Sequence, residues 1–183
     1  MSANKSLQLD GLRSPLLAKP LDRVAMLSEL EKRLIEHELL MLSDSELVRW
    51  AVAVLESNAP ASTDPDIVNL ASLPTSPPRL CESAGSLLRV AVQRAHPRFD
   101  PSSHEAEAYA RKSFVQFCSR LLAEEIRPYE FCRVISPIEQ LFEFPLWLGE
   151  FFNHCDWCEP ESSRSDFSHL IEYAAQYVRE HAG

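Results

Sequence analysis

Apolar side chains recur every three or four residues along most of this chain, and prolines separate one such run from the next. That spacing places apolar side chains on one face of a helix. The chain has only four glycines against thirteen prolines, which disfavours a β-rich fold with many tight turns. No segment alternates convincingly between polar and apolar residues, as a half-buried strand would. We therefore predict an all-α fold: a single compact helical domain of about six to eight helices, with a kinked, proline-punctuated C-terminal half.

The predicted organisation is one domain with one arm. Residues 1–19 are predicted to form a flexible N-terminal arm, and residues 20–183 a single helical domain, because 183 residues suffice for one substantial core. Residues 59–78 hold five prolines and are predicted to be a loop with one short turn at Ile67–Leu73. The predicted helices span about 20–42, 44–58, 80–95, 104–126, 128–135, 138–142, 145–152 and 166–180.

Two helix starts carry capping signals. Ser43 and Glu46 have the spacing of a capping box, in which each side chain satisfies an amide of the other residue. Ser103 is a predicted N-cap, and the acidic residues Glu105 and Glu107 follow it in the first turn, where the helix dipole favours negative charge.

The overall charge restricts the partners. The formal net charge is −9 and the sequence pI is about 5.1, and phosphate binding needs a basic surface, so neither nucleic acid nor an anionic membrane is expected. The one basic group of residues, Arg79, Arg89, Arg94 and Arg98, is interpreted as a solvated helix face. No apolar run approaches the roughly 20 residues of a membrane span. With no signal-peptide pattern near the N-terminus, the predicted location is cytoplasmic.

The C-terminal third is strongly acidic and rich in aromatic residues. From Glu139 to Glu172 there are eight carboxylates and one cation, Arg164, which give a local net charge of −7 out of −9. Aromatic side chains supply apolar contacts for a partner, and carboxylates attract cations. The aromatic residues of this stretch are Phe142, Phe144, Trp147, Phe151, Phe152, Trp157 and Phe167. If the phenylalanines face inward, we expect the carboxylates to line the outside.

The motif His154-Cys155-Asp156-Trp157-Cys158 is the sharpest local pattern. A Cys-x-x-Cys pair beside a histidine could bind zinc with Cys118 or Cys132, or act as a redox dithiol. The ligand spacing is incomplete, because no second close-spaced pair exists. Ordinary packing of reduced thiols is the preferred interpretation for all five cysteines, and no metal or other cofactor is expected.

No other pattern indicates catalysis. The six histidines occur singly and without metal-binding helical spacing. His104 with Glu105 and Glu107, and the pair Glu124-Glu125, are interpreted as solvated helix ends, because acid–base catalysis would need convergence from several elements. The chain has no serine nucleophile elbow, Walker loop or dinucleotide motif. We therefore predict that it is not an enzyme.

These observations lead to a hypothesis of protein binding. We expect a small cytosolic acidic helical protein that binds and neutralises a basic protein, most concretely a bacterial immunity protein that inhibits a cationic, nuclease-type toxin. The alternatives are a zinc- or thiol-dependent helical enzyme or sensor using Cys155 and Cys158, and a non-inhibitory helical adaptor subunit. The oligomeric state stays open. The predicted partner-binding residues are Glu139, Glu143, Trp147, Glu150, Asp156, Trp157 and Glu159.

Overall fold

Every regular element in the described part of the chain is helical, which confirms the all-α prediction. The structure is a computed structural model that describes residues 27–57, 64–74, 81–156, 158–161 and 164–181. The predicted arm at residues 1–19 lies outside these ranges. The nine α-helices of the described residues are α1 Glu29–Glu38, α2 Asp44–Glu56, α3 Pro65–Ala71, α4 Cys81–Ala95, α5 His104–Leu122, α6 Pro128–Cys132, α7 Ile135–Leu141, α8 Phe151–Cys155 and α9 Ser168–His181. Two 3₁₀ turns span Leu146–Leu148 and Arg164–Phe167.

Among the described residues, no helix has both the length and the apolar character that crossing a membrane requires.

Serine side chains begin three of the helices. Both predicted caps are confirmed: Ser43 forms a capping box with Glu46 at α2, and Ser103 accepts a hydrogen bond from the Ala106 amide at α5. A third cap was not predicted. Ser28 accepts a hydrogen bond from the Glu31 amide at 3.3 Å, and the Glu31 carboxylate accepts one from the Ser28 amide at 2.6 Å. This capping box starts α1 at Glu29, well after the predicted start at residue 20, and residues 20–26 lie outside the described ranges.

The predicted proline-rich loop contains a helix. Asp64 caps α3 by accepting a hydrogen bond from the Asp66 amide at 2.8 Å, and Pro65 occupies the first helical position, where its missing N–H costs nothing. Ile67 and Leu70 of this helix are buried. The segment is therefore held to the core at its centre, a feature that the loop prediction did not include.

The core has two clusters, and α1 contributes to both. Leu34 of α1 belongs to a cluster formed with α2, α3 and α4, while Ile35 and Leu39 belong to a larger cluster built around α5 and α9. Neighbouring residues on a helix point about 100° apart, so one helix can serve two clusters on adjacent faces. The two halves of the domain are thereby joined through α1.

Phe114 lies at the centre of the larger cluster and is fully buried. Its ring centroid is 5.0 Å from that of Phe151, 5.5 Å from Phe131, 5.7 Å from Trp147 and 5.8 Å from Tyr177. Burying one such ring contributes about 1.5–3 kcal/mol. These contacts hold α6, α8, α9 and the turn at Leu146–Leu148 against α5.

Prolines interrupt the C-terminal half, as predicted. Pro128 is the first residue of α6, Pro137 lies in the first turn of α7, and Pro145 precedes the 3₁₀ turn. At these places a proline breaks no helical hydrogen bond, since first-turn amides have no partner within the helix. The chain from Pro128 to Cys155 is consequently a series of short, sharply reoriented helical segments.

Candidate functional site: an acidic apolar ledge

The chain leaves α7 through two residues in the left-handed region. Glu143 has φ 52° and Phe144 has φ 60°. The Phe144 amide donates a hydrogen bond to the Glu139 carbonyl oxygen at 3.0 Å, the closing bond of a Schellman-type helix end. Residues other than glycine adopt this conformation at a cost of about 1–2 kcal/mol each. The turn leaves the Phe144 side chain 75% exposed.

The next turn places a leucine almost entirely in solvent. Leu146, the first residue of the 3₁₀ turn, is 98% exposed, whereas Leu148 is buried. Gly149 follows with φ 55° and ψ −131°, a backbone conformation that only glycine adopts readily. The Tyr173 hydroxyl lies where a Cβ on Gly149 would be, and it accepts a hydrogen bond from the Glu150 amide at 3.1 Å. This close approach redirects the chain into α8.

Helix α8 presents one phenylalanine to the core and the other to solvent. Phe151 is fully buried, with its ring centroid 4.7 Å from that of Tyr173. Phe152 is 47% exposed. Consecutive helical residues point about 100° apart, and at α8 only the direction of Phe151 meets the core.

These turns create an exposed apolar surface bordered by carboxylates. Phe144, Leu146 and Phe152 line a shallow cavity of about 340 Å³, whose walls also include Glu139 and Glu150. Glu143 is exposed directly beside Phe144. We call this surface the acidic ledge and define it by six residues: Glu139, Glu143, Phe144, Leu146, Glu150 and Phe152.

The charge of the acidic ledge is uncompensated within the described structure. The sequence has no lysine or arginine between Arg133 and Arg164. Among the described residues, none of the three glutamates of the ledge forms an ion pair with a lysine or arginine. Partial burial raises the pKa of Glu139, because desolvation disfavours its charged form. A cation placed beside the ledge would stabilise that carboxylate.

The structure divides the predicted binding residues into groups. Glu139, Glu143 and Glu150 lie on the acidic ledge. Asp156 and Glu159 are exposed beyond the C-terminal end of α8 and do not line the cavity. Trp157 lies outside the described residues.

Trp147 faces the interior and is only partly exposed. Its indole nitrogen donates a hydrogen bond to the Glu107 carboxylate at 3.0 Å, and its ring packs against Phe114. The indole therefore attaches the turn of the ledge to α5, and its contact with a partner stays a prediction.

The apolar residues of the ledge were missing from the predicted site. Phe144 and Phe152 were counted among the aromatic residues of the acidic stretch, but neither they nor Leu146 were predicted as partner contacts. No sequence signal distinguished Phe152 from Phe151, because adjacent helical residues can both be buried, as Leu34 and Ile35 are. The exposure of Phe144 and Leu146 depends on backbone turns that no residue pattern specified.

The cysteines are not all reduced, which corrects the prediction of free thiols. Cys132 of α6 forms a disulfide with Cys155 of α8, with a Cα–Cα distance of 5.2 Å, inside the usual range. Cys155 is thus paired with Cys132 and not with Cys158. Disulfides persist mainly in oxidising compartments. The cysteines therefore give no support to the predicted cytoplasmic location. That location stays a prediction.

Of the three remaining cysteines, Cys118 and Cys158 are free thiols, and the side chain of Cys81 lies outside the described part of the structure. Cys118 is fully buried, and burial raises its pKa far above the usual range. Cys158 is partly buried, and burial raises its pKa as well. Within the described ranges, no group of three or more histidine, cysteine, aspartate or glutamate side chains could hold a metal ion.

A larger groove of about 610 Å³ lies between α1, α2, α5 and α6, and carboxylates and arginines are equally numerous in its lining: Asp44, Glu46, Glu130, Arg49, Arg120 and Arg133. His37 lies 2.9 Å from the Asp44 carboxylate, and Arg120 lies 3.0 Å from that of Glu46. Burial raises the pKa of Glu46, but hydrogen bonds from Ser43 and the nearby Arg120 outweigh it and hold this pKa below its usual value. The positive and negative charges of the groove are therefore balanced, in contrast to those of the acidic ledge.

Comparisons with known proteins found no matching protein family, no matching curated protein and no matching solved structure. The fold and the ledge therefore define only a class: an all-helical protein with an exposed acidic and apolar surface.

Proposed function

We propose that this protein binds a basic protein through the acidic ledge. Its most concrete role is to neutralise a cationic toxin, as a bacterial immunity protein does. One observation carries the proposal: three large apolar side chains stand exposed among three carboxylates that no lysine or arginine of the described chain neutralises.

The apolar residues would supply the lasting contacts. Leu146 is 98% exposed and Phe144 is 75% exposed, which leaves nearly all of their apolar area in water. Covering each of them with a partner would contribute on the order of 1.5–3 kcal/mol. Adjacent exposed apolar side chains with a polar border are typical of protein interaction sites. Loss of these contacts would act mainly on the dissociation rate.

The carboxylates would select and steer the partner. Surface charge of one sign attracts an oppositely charged protein and raises its association rate, an effect that salt screens. Glutamates that border an apolar contact also disfavour an acidic partner, because like charges would be brought together on docking. A basic protein with an apolar patch fits both features of the ledge.

The ledge is also largely fixed before binding. Phe151 is fully buried beneath it, Trp147 is hydrogen bonded to Glu107, and the Glu150 amide is hydrogen bonded to Tyr173. A surface that is already ordered loses less conformational entropy when it docks. This favours a persistent inhibitor–target complex.

The test is a comparison of captured proteins. The double variant Phe144→Ser/Leu146→Ser removes the apolar part of the ledge. The control Val52→Ser/Val68→Ser removes two apolar side chains that are 37% and 45% exposed on α2 and α3. Wild type and both variants are immobilised, exposed to lysate of the native cell, and the bound proteins are identified by mass spectrometry.

We expect at least one basic protein that wild type and the control capture and the ledge variant does not. The activity of that purified protein, for example nuclease activity, should fall when wild type is added and should be unaffected by the ledge variant. Capture that is identical for all three baits, or a ledge-dependent partner that is acidic, would refute the proposal. A ledge-dependent basic partner whose activity is unchanged would refute the inhibitory role alone.

A further inference from the structure

Three cysteines lie close together at the C-terminal end of α8. Cys155 is bonded to Cys132, and the Cys158 amide donates a hydrogen bond to the Cys155 carbonyl oxygen at 3.2 Å. A turn closed in this way keeps the two Cα atoms within about 7 Å, close to the range that a disulfide requires. All three cysteines are partly buried against the same apolar cluster. Cys155 therefore has two cysteine neighbours.

The Cys132–Cys155 bond closes the part of the chain that carries the acidic ledge. The two cysteines are 23 residues apart, and every residue of the ledge lies between them in sequence. On the α6 side the bond starts from a firm position, since Phe131 is fully buried and stacks on Phe117 with ring centroids 5.7 Å apart.

On the other side, α8 is anchored mainly at its first residue, where Phe151 packs against Phe114 and Tyr173. It has five residues, of which Phe151 alone is buried. Such a short helix is not stable by itself. The disulfide adds a restraint at the C-terminal end of α8, beyond the anchor at Phe151, and so helps to fix the position of Phe152.

We propose that Cys132, Cys155 and Cys158 form a thiol–disulfide exchange site in which the Cys132–Cys155 bond holds α8, and with it the acidic ledge, in place. Transfer of the bond to Cys155–Cys158 releases α8 from α6. If this exchange regulates partner binding, that role rests on the proposed docking function. The exchange reaction itself does not depend on that function.

The exchange needs no oxidant or reductant. The Cys158 thiolate attacks the sulfur of Cys155, the Cys155–Cys158 bond forms, and the Cys132–Cys155 bond breaks. Cys132 leaves as a thiolate and takes up a proton, which balances the proton that Cys158 lost. Full reduction is a separate reaction, in which an external dithiol supplies two electrons and becomes a disulfide itself, leaving Cys132 and Cys155 as thiols.

The first experiment maps the disulfides. In a Cys81→Ser background, the full chain is equilibrated with reduced and oxidised glutathione, free thiols are alkylated, and peptides are analysed without reduction. We expect Cys132–Cys155 as the main bond and Cys155–Cys158 as a second form. Cys158→Ser should retain the first bond alone, and Cys132→Ser should form the second. A Cys132→Ser chain in which Cys155 and Cys158 do not pair would overturn the exchange site.

The second experiment measures hydrogen exchange of backbone amides. Residues 151–155 should exchange at least about tenfold faster in Cys132→Ser than in Cys158→Ser, while residues 81–95 of α4 exchange equally in both. If Cys132→Ser does not fold, hydrogen exchange of Cys158→Ser is measured before and after dithiothreitol reduces its Cys132–Cys155 bond, which compares the same bonded and unbonded states. Equal exchange at residues 151–155 in the bonded and unbonded states would show that the disulfide does not hold α8. Neither readout involves a partner, so these results stand apart from the success or failure of the capture experiment.

Discussion

The indole nitrogen of Trp147 donates a hydrogen bond to the carboxylate of Glu107, 3.0 Å away and 40 residues earlier in the chain. This bond joins the 3₁₀ turn of the acidic ledge to the first turns of α5, the longest helix among the described residues. The ledge is therefore attached to the core by a side chain that the sequence had suggested as a partner contact.

Replacing Trp147 should destabilise the fold. Trp147→Ala loses the ring packing against Phe114 and the hydrogen bond, at a cost of about 2–4 kcal/mol in the free energy of unfolding. Glu107→Gln keeps an acceptor for the indole and should cost less than about 1 kcal/mol. Urea unfolding of the three proteins gives these values. A Trp147→Ala chain as stable as wild type would show that the indole is free to contact a partner.

Gly149 should tolerate no side chain. Gly149→Ala forces alanine into a backbone conformation that suits glycine and places its Cβ against the Tyr173 hydroxyl. We expect a loss of about 2–3 kcal/mol in the free energy of unfolding.

A second substitution separates the two causes. In a Tyr173→Phe background the hydroxyl is absent but the backbone strain remains, so the cost of Gly149→Ala should fall and should not vanish. Thermal and urea unfolding of the four chains measure this coupling. If Gly149→Ala costs the same free energy of unfolding in both backgrounds, the contact between the added Cβ and the Tyr173 hydroxyl does not contribute to that cost.

The buried Tyr177 and the half-buried Tyr109 should make the fold sensitive to high pH. Burial, helped by a 2.6 Å hydrogen bond to Glu36, raises the pKa of Tyr109 to about 12, and burial raises the pKa of Tyr177 to about 12. The folded state favours the neutral phenols, whose ordinary pKa is about 10. Their contribution to stability is therefore fully present below pH 10 and is lost as the pH rises toward 12.

Ultraviolet absorbance of the phenolates checks this directly. Tyr109→Phe and Tyr177→Phe should each remove one phenol from the part of the titration near pH 12, and each should reduce the loss of stability between pH 10 and pH 12. A wild-type titration completed near pH 10, with no late component, would contradict the burial of these two hydroxyls.

Local patterns were sufficient to predict the helices. The capping residues Ser43 and Ser103, together with the apolar period, identified α2 and α5, because capping and amphipathic spacing act within a few residues of sequence. The errors lie at helix ends and depend on backbone conformation: Glu124, with φ 61°, helps to end α5 at Leu122, before the predicted Ile126. The helix α3 was predicted only as a short turn at Ile67–Leu73, because the five prolines of this segment obscured the Asp64-Pro65 start.

The candidate site was only half predictable. Its glutamates could be found by counting charges along the sequence. Its apolar members could not, since their exposure follows from the left-handed turn at Phe144 and from the packing of Phe151 against distant helices. The pairing of Cys132 with Cys155 likewise depends on the tertiary contact of two short helices, which local spacing does not reveal.

The central claim, that the acidic ledge docks a basic protein, is tested most directly by binding kinetics at two salt concentrations. The ledge variant carries Glu139→Lys, Glu143→Lys and Glu150→Lys. The control carries Glu29→Lys, Glu56→Lys and Glu180→Lys, three exposed positions outside the acidic stretch Glu139–Glu172 that give the same change in net charge. Thermal melts of both variants confirm that each is folded.

With the captured basic partner, wild type should associate about tenfold or more slowly at high salt than at low salt. The ledge variant should associate slowly at both concentrations, and the control should lie close to wild type. A partner that associates at the same rate with all three chains, or whose binding is indifferent to salt, would contradict the account.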